Sequence, residues 1–172
     1  PEGMSSAERI AFYDCEENRK YYQYGTAGGW KKYGKNPVFG GDYGTCFDVS
    51  LLLEEGKEGM PVFKMWLPWR PKRAVGFTES TDGIHWENPC AVLEPLPGSS
   101  WEADEINRPA VIYHNGQYMM WYSGQMKPYL EDGRSVIGLA VSSDGIHWER
   151  RQEPGMVPDQ AWELQAIMCP HG

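Results

Sequence analysis

Ser80-Thr81-Asp82-Gly83-Ile84-His85-Trp86 returns as Ser142-Ser143-Asp144-Gly145-Ile146-His147-Trp148, a repeat of about 60 residues. Asp-Gly favours positive φ and so predicts a tight turn between strands. Upstream of each copy lies a small-residue stretch, Ala74-Val75-Gly76-Phe77-Thr78 or Val136-Ile137-Gly138-Leu139-Ala140. Before that comes an aromatic stretch, Val62-Phe63-Lys64-Met65-Trp66 or Gln117-Tyr118-Met119-Met120-Trp121. Val49 to Leu53 and Ala110 to Tyr113 read as inner strands, entering the aromatic strands through turns at Glu54 to Gly59 and His114-Asn115-Gly116. The last strand of each copy is expected to open at Ile84-His85-Trp86 or Ile146-His147-Trp148. A further register matches Trp101-Glu102 to Trp162-Glu163, and Asn107-Arg108-Pro109 to Met168-Cys169-Pro170. Asp48-Val49-Ser50 stands where the second copy has Arg108-Pro109-Ala110.

Four short antiparallel strands per repeat, with weak period-2 alternation, predict sheets packed on both faces. The implied fold is all-β, a β-propeller of antiparallel four-stranded blades. One partial propeller domain is expected over 1–172, with blade repeats at about 37–95 and 96–157 and the start of a third at 158–172. That is about two and a half blades of a five-bladed ring. A preceding strand or two is expected between Ile10 and Tyr24. The shortfall implies either a homo-oligomer whose copies complete the ring or the remainder of a longer chain.

Composition agrees. Gly (20) and Pro (13) supply turns, and 8 Trp, 10 Tyr and 5 Phe supply strand-forming aromatics. With 41% apolar residues the chain has enough to build a core. Sixteen Lys and Arg against 24 Asp and Glu give a net charge of −8, which disfavours nucleic acid and anionic membrane as partners. No signal peptide is visible at Pro1 to Ile10, which favours a cytoplasmic location. Cys15, Cys46, Cys90 and Cys169 are widely spaced and form no zinc motif, so reduced, mostly buried thiols are expected.

The Ser-x-Asp-Gly-Ile-x-Trp turn after a Met-Trp-Tyr-Ser strand, with Asn36-Pro37-Val38 at a blade entrance, resembles the five-bladed propeller glycosidases. That superfamily (family 43/32-like) includes β-xylosidases, α-arabinofuranosidases, invertase-type fructosidases and the mannoside phosphorylases. The resemblance covers most of Trp30 to Gly172. It implies a glycoside hydrolase-like protein acting on plant or microbial oligosaccharides by acid/base cleavage of a glycosidic bond. The alternative is a non-catalytic carbohydrate-binding or structural propeller piece that assembles with other copies.

Such enzymes place an acidic residue at the axial entrance of the inner strand in each of the first three blades, because base and proton donor must differ in protonation at one pH. Asp48 holds the first of these positions, as a candidate general base or as a capping residue at a strand entrance. Where the resemblance expects Arg-Asp-Pro and Glu-Cys-Pro, this sequence has Asn107-Arg108-Pro109 and Met168-Cys169-Pro170. Glu163 and Glu105 are therefore candidate acids, with Glu102 a further carboxylate nearby. Arg108 reads as a ligand for a sugar oxygen or carboxylate, through its forked donors. Trp69 and Tyr122 are less repeated than the other aromatics and are candidates for stacking on a sugar ring. Trp66, Trp86, Trp121 and Trp148 recur at matching positions and read as packing between blades. His171 falls at a strand entrance, where some relatives hold a His near a structural Ca²⁺, although a plain channel histidine fits as well. No cofactor is otherwise expected.

Overall fold

The computed structural model describes residues 33–44, 46–126 and 134–171. The chain forms two compact units, Pro1–Pro37 and Val38–Gly172. Of the first, the described part is a turn in which the Asn36 N–H donates to the Tyr33 carbonyl (3.3 Å). The strands expected between Ile10 and Tyr24 lie outside the described residues.

The second unit carries eight strands: β1 (Ser50–Glu55), β2 (Pro61–Trp69), β3 (Ala74–Ser80), β4 (Cys90–Leu93), β5 (Glu105–His114), β6 (Gln117–Gln125), β7 (Ser135–Ser142) and β8 (Glu149–Arg150). They form two antiparallel four-stranded sheets, β1-β2-β3-β4 and β5-β6-β7-β8. The fold is all-β, and the described residues outside the strands include only short 3₁₀ turns as helix. In β1 burial alternates and leaves Leu51 and Leu53 exposed, as on a strand with one open face. In β7 seven of eight positions are buried, which explains why alternation is weak in the sequence.

The fourth strands begin later than the sequence suggests. Asp82 Oδ1 accepts the N–H groups of Ile84 (2.8 Å) and His85 (2.7 Å), so these residues belong to the turn and not to a ladder. Asp144 does the same for Ile146 and His147, each at 2.8 Å. Pairing resumes at Cys90 in one sheet and Glu149 in the other. The two turns match in their other bonds as well. Ser80 and Ser142 hydroxyls each accept the following Asp and Gly N–H groups at 3.2 and 2.9 Å. His85 and His147 each place Nδ1 2.7 Å from the Asp Oδ2. These bonds hold both aspartates well below the usual carboxylate range, the His side-chain bond being the largest cause.

The core lies between the sheets. Trp66 is fully buried, packs against Phe77, Tyr118 and Trp148, and donates its indole N–H to the Gly145 carbonyl (2.9 Å). Trp101 covers the two glycines of the second sheet, stacked on Tyr122 with ring centroids 6.0 Å apart. A Cβ at Gly138 would meet Tyr122 Cζ at 2.5 Å and Trp101 at 2.7 Å.

Gly138→Ala should therefore lower unfolding free energy by about 1–3 kcal/mol through overpacking, while Gly155→Ala, which meets only a carbonyl at 3.6 Å, should change it by less than about 0.5 kcal/mol; chemical denaturation reads both. A pH dependence also follows. The folded-state pKa values of Asp82 and Asp144 lie below the ordinary 3.8, so their contribution is complete above that value and is lost as pH falls through the folded pKa. The Asp82→Asn, Asp144→Asn double variant should lose less stability than the parent between neutral pH and the acid limb.

Candidate functional site

Asp48, Arg108 and Cys169 all adopt left-handed backbone geometry, with φ of 49°, 52° and 63°. Non-glycine residues seldom occupy this region, and three at matching points of successive repeats show one local turn used three times. The neighbouring ladder repeats too. The Ile106 N–H donates to the Arg73 carbonyl (3.0 Å), and the Ile167 N–H donates to the Ser135 carbonyl (2.9 Å). Just beyond the first two turns, the inner strands β1 and β5 are stitched together by the Val111 N–H donating to Ser50 Oγ (2.9 Å).

This arrangement brings Arg108 to Asp48, with Nε donating to Oδ2 at 3.1 Å. Asp48 is half exposed, whereas Arg108 is largely covered. Arg108 also donates to Asn107 Oδ1 (3.2 Å), and Asn107 Nδ2 donates to Glu105 Oε1 (2.9 Å). Glu105 Oε1 takes a second donor, Arg70 Nη1, at 2.6 Å. Phe47 lies beside both guanidinium groups, 5.6 Å from Arg70 and 5.1 Å from Arg108, at cation–π range. The result is a polar chain, Arg70–Glu105–Asn107–Arg108–Asp48, ending at a cavity of about 340 Å³. Asp48, Ser50, Pro109, Val111, Cys169 and His171 are among its walls. Phe47, Asn107 and Arg70 were not singled out in the sequence. Phe47 and Asn107 were findable, since each immediately precedes one of the repeated entrance residues.

The other candidates fall elsewhere. Glu163 lines a separate cavity with Ile167, Met168 and Pro170. Its Oε2 accepts the backbone N–H groups of Asp159 (2.8 Å) and Gln160 (2.9 Å), closing a capping box. Trp69 lies over Gly76, with Lys72 Nζ 4.2 Å from its ring centroid and Tyr43 at its edge. Two readings need correction. Tyr122 is fully buried and donates to Glu102 Oε2 (2.8 Å), so its ring has no face for a sugar. Glu102 is 1% exposed and paired with Arg150 (3.1 Å), inside the sheet interface and shut off from ligand. Burial, with the Glu102 charge and hydrogen bond adding to it, drives the Tyr122 hydroxyl above the usual phenol range. Among the described residues no three His, Cys, Asp or Glu gather as a metal would require.

These placements separate the buried carboxylate of Glu102 from the capping carboxylate of Glu163. Glu102→Ala should cost about 2–4 kcal/mol, because it leaves the buried Tyr122 hydroxyl without its acceptor and the half-buried Arg150 without its counter-charge, whereas Glu163→Ala should cost about 1 kcal/mol as a lost cap. Denaturant titration of the two variants checks this.

No family model matches this chain. Beta-1,2-mannobiose phosphorylase from Thermoanaerobacter sp. (strain X514) is 29% identical over 86 residues, which are 43% of this chain and 28% of that protein. Among solved structures, Zg3597, a family 117 glycoside hydrolase from the marine bacterium Zobellia galactanivorans, aligns with a TM-score of 0.60 at 14% identity, over 73% of this chain and 44% of that one. The beta-1,2-mannobiose phosphorylase of Listeria innocua aligns with a TM-score of 0.54 at 18% identity, over 69% of this chain and 33% of that one. The chain thus spans less than half the length of each. Its two sheets have the fold of blades in propeller enzymes that act on glycosides.

Proposed function

We propose that the chain supplies one wall of a saccharide cleft in a protein that cleaves glycosidic bonds, by hydrolysis or phosphorolysis. The observation that carries this reading is the Asp48–Arg108 pair at the mouth of the inner-strand cavity. A half-exposed carboxylate there is accessible to substrate, unlike the buried Glu102. In hydrolysis Asp48 accepts a proton from the attacking water as the bond from the anomeric carbon to the leaving oxygen breaks. The leaving oxygen takes its proton from a second acid. Arg108 holds Asp48 in place through Nε and has further N–H donors for a sugar oxygen. Glu105 is occupied by Arg70 and Asn107, which suits a carboxylate that orients neighbours better than one that donates a proton. The similarity to mannobiose phosphorylases supports a glycoside as substrate.

A second reading, saccharide binding without turnover, is favoured by one observation: the equivalent entrances carry Asp48, Arg108 and Cys169, so only one of the three turns presents a carboxylate.

Sugar release from a panel of aryl glycosides and oligomannosides, with and without inorganic phosphate, decides between them. The catalytic reading expects Asp48→Asn to reduce turnover by about 100- to 10,000-fold, the usual range for a lost general base, with an unchanged unfolding midpoint. Saccharide binding by both parent and variant, with no release by either, supports the second reading.

A further inference from the structure

Asn115 and Gly116 form the two-residue loop between β5 and β6, whose ladder closes with His114 opposite Gln117. Both take positive φ, 51° and 78°, the pattern of a type I′ hairpin turn. Both are exposed, and among the described residues neither the Gly116 N–H nor the Asn115 side chain has a hydrogen-bond partner. A Cβ on Gly116 would meet nothing within 4 Å. Nothing ties down or shields this dipeptide. Other asparagines are placed differently. Asn36 and Asn88 precede prolines, which have no N–H. Asn107 is 1% exposed, with its Nδ2 bonded to Glu105. Asn18 and Asp132–Gly133 lie outside the described residues.

Asp-Gly, the acidic counterpart of Asn-Gly, occurs in both Ser-x-Asp-Gly turns, and there the reacting groups are held. Gly83 and Gly145 donate their N–H groups to Ser80 and Ser142 Oγ, each at 2.9 Å. The Asp82 and Asp144 carboxylates each accept two backbone N–H groups and lie 2.7 Å from a histidine Nδ1. These bonds keep both carboxyls ionised at neutral pH, and a carboxylate carbon resists attack by a neighbouring amide.

We propose that Asn115 is a site of spontaneous covalent modification in the folded chain, its amide converted to aspartate and isoaspartate, while Ser80 and Ser142 guard the two Asp-Gly turns from the parallel reaction. The tip of a hairpin opens locally at small cost, which gives the Gly116 nitrogen access to Asn115 Cγ. That nitrogen bonds to Cγ, the Cγ–Nδ2 bond breaks, and Nδ2 leaves as ammonia with the Gly116 proton. A five-membered imide results. Water opens it by breaking either the bond to Cγ, which gives aspartate, or the bond to the Asn115 carbonyl carbon, which gives isoaspartate. The sum is asparagine and water going to either acid and ammonia.

The two products differ in consequence. Aspartate tolerates the left-handed region, so it keeps the turn and adds one negative charge. Isoaspartate puts an extra methylene into the backbone of a two-residue loop. That disturbs the His114–Gln117 pair and the next one, Tyr113–Tyr118. Tyr118 carries the hydroxyl that bonds Glu54 and Lys64 of the first sheet.

The test incubates the folded 172-residue chain in mildly alkaline buffer made with heavy-oxygen water and maps its peptides by mass spectrometry. The peptide holding Asn115 should lose ammonia and gain one heavy oxygen, in both product forms. Peptides holding Asp82–Gly83 and Asp144–Gly145 should take up many-fold less label. Asn115→Gly, which suits the same turn, should abolish the uptake at that position. Asn115→Asp should leave the unfolding midpoint unchanged, whereas the purified isoaspartate form should unfold at a lower one. Ser142→Ala should bring label into Asp144, and Ser80→Ala should bring it into Asp82. The second variant serves where the first fails to fold, because the Gly83 turn does not carry the Trp66 contact that Gly145 makes. An unmodified Asn115 in the folded chain would overturn the proposal, as would label entering Asp82 and Asp144 of the parent as fast as Asn115. A folded Ser80→Ala chain whose Asp82 gains no more label than the parent's would overturn the guarding role.

Discussion

The bond from the Trp66 indole to the Gly145 carbonyl fixes how the two sheets sit. A buried indole N–H left without an acceptor costs free energy comparable to a lost hydrogen bond, so Trp66 must reach a carbonyl on the other sheet. The turn that presents it is shaped by its own Ser142 and Asp144 bonds. No side chain fits at the point of contact, because a Cβ on Gly145 would stand 2.9 Å from Trp66 Cζ2. The motif that marks the repeat is therefore also the surface on which the preceding sheet docks. With the sheets so placed, β1 and β5 lie close enough for Ser50 to reach Val111, and Asp48 meets Arg108.

Burial sorts the charged groups once the sheets are set. Glu102 and Tyr122 are enclosed and exist as a matched set with the half-buried Arg150, because the Glu102 carboxylate could not be hydrated where it lies. At the opposite ends of the inner strands Glu54, Lys64 and Tyr118 form a second set, with Lys64 Nζ 2.8 Å from Glu54 and 2.6 Å from the Tyr118 hydroxyl. Burial pulls the Lys64 ammonium down, but its bonds to Glu54 and Tyr118 outweigh this and leave it raised. The second set joins the two sheets, with Glu54 and Lys64 on one and Tyr118 on the other, while the first pins the segment before β5 to the second sheet. Asp48 differs from them in remaining half open to solvent, the most exposed carboxylate of the three groups.

The repeat was legible in the sequence because turns and packed aromatics obey local rules. Asp-Gly needs positive φ wherever it occurs, and the two copies return the same bonds to within a tenth of an ångström. The register of the entrances was legible for the same reason. The fate of individual side chains was not. Tyr122 and Trp69 look equally available in sequence, yet one is sealed under Trp101 and the other caps Gly76. Glu102 and Glu163 share a Trp-Glu motif, and only the presence of a sheet beyond Trp101 makes the first a buried ion. The late start of the fourth strands was hidden because the Asp side chain competes with the ladder for the same N–H groups.

Three turns of one shape therefore carry three chemistries. The left-handed backbone at Asp48, Arg108 and Cys169 is imposed by the repeat and is indifferent to the side chain it presents. An acid and a guanidinium at adjacent entrances neutralise one another, and the next entrance adds a thiol with no charge to balance. Each guanidinium near the mouth is matched by a carboxylate: Arg108 by Asp48 and Arg70 by Glu105. A neutral, hydroxyl-rich ligand can exchange hydrogen bonds with such a balanced pair without leaving either charge stranded. An anionic ligand at Arg108 would lie beside the Asp48 carboxylate and meet its repulsion. The charge pairing at the entrance is therefore the feature that suits the neutral saccharide of the proposed function better than an anionic ligand.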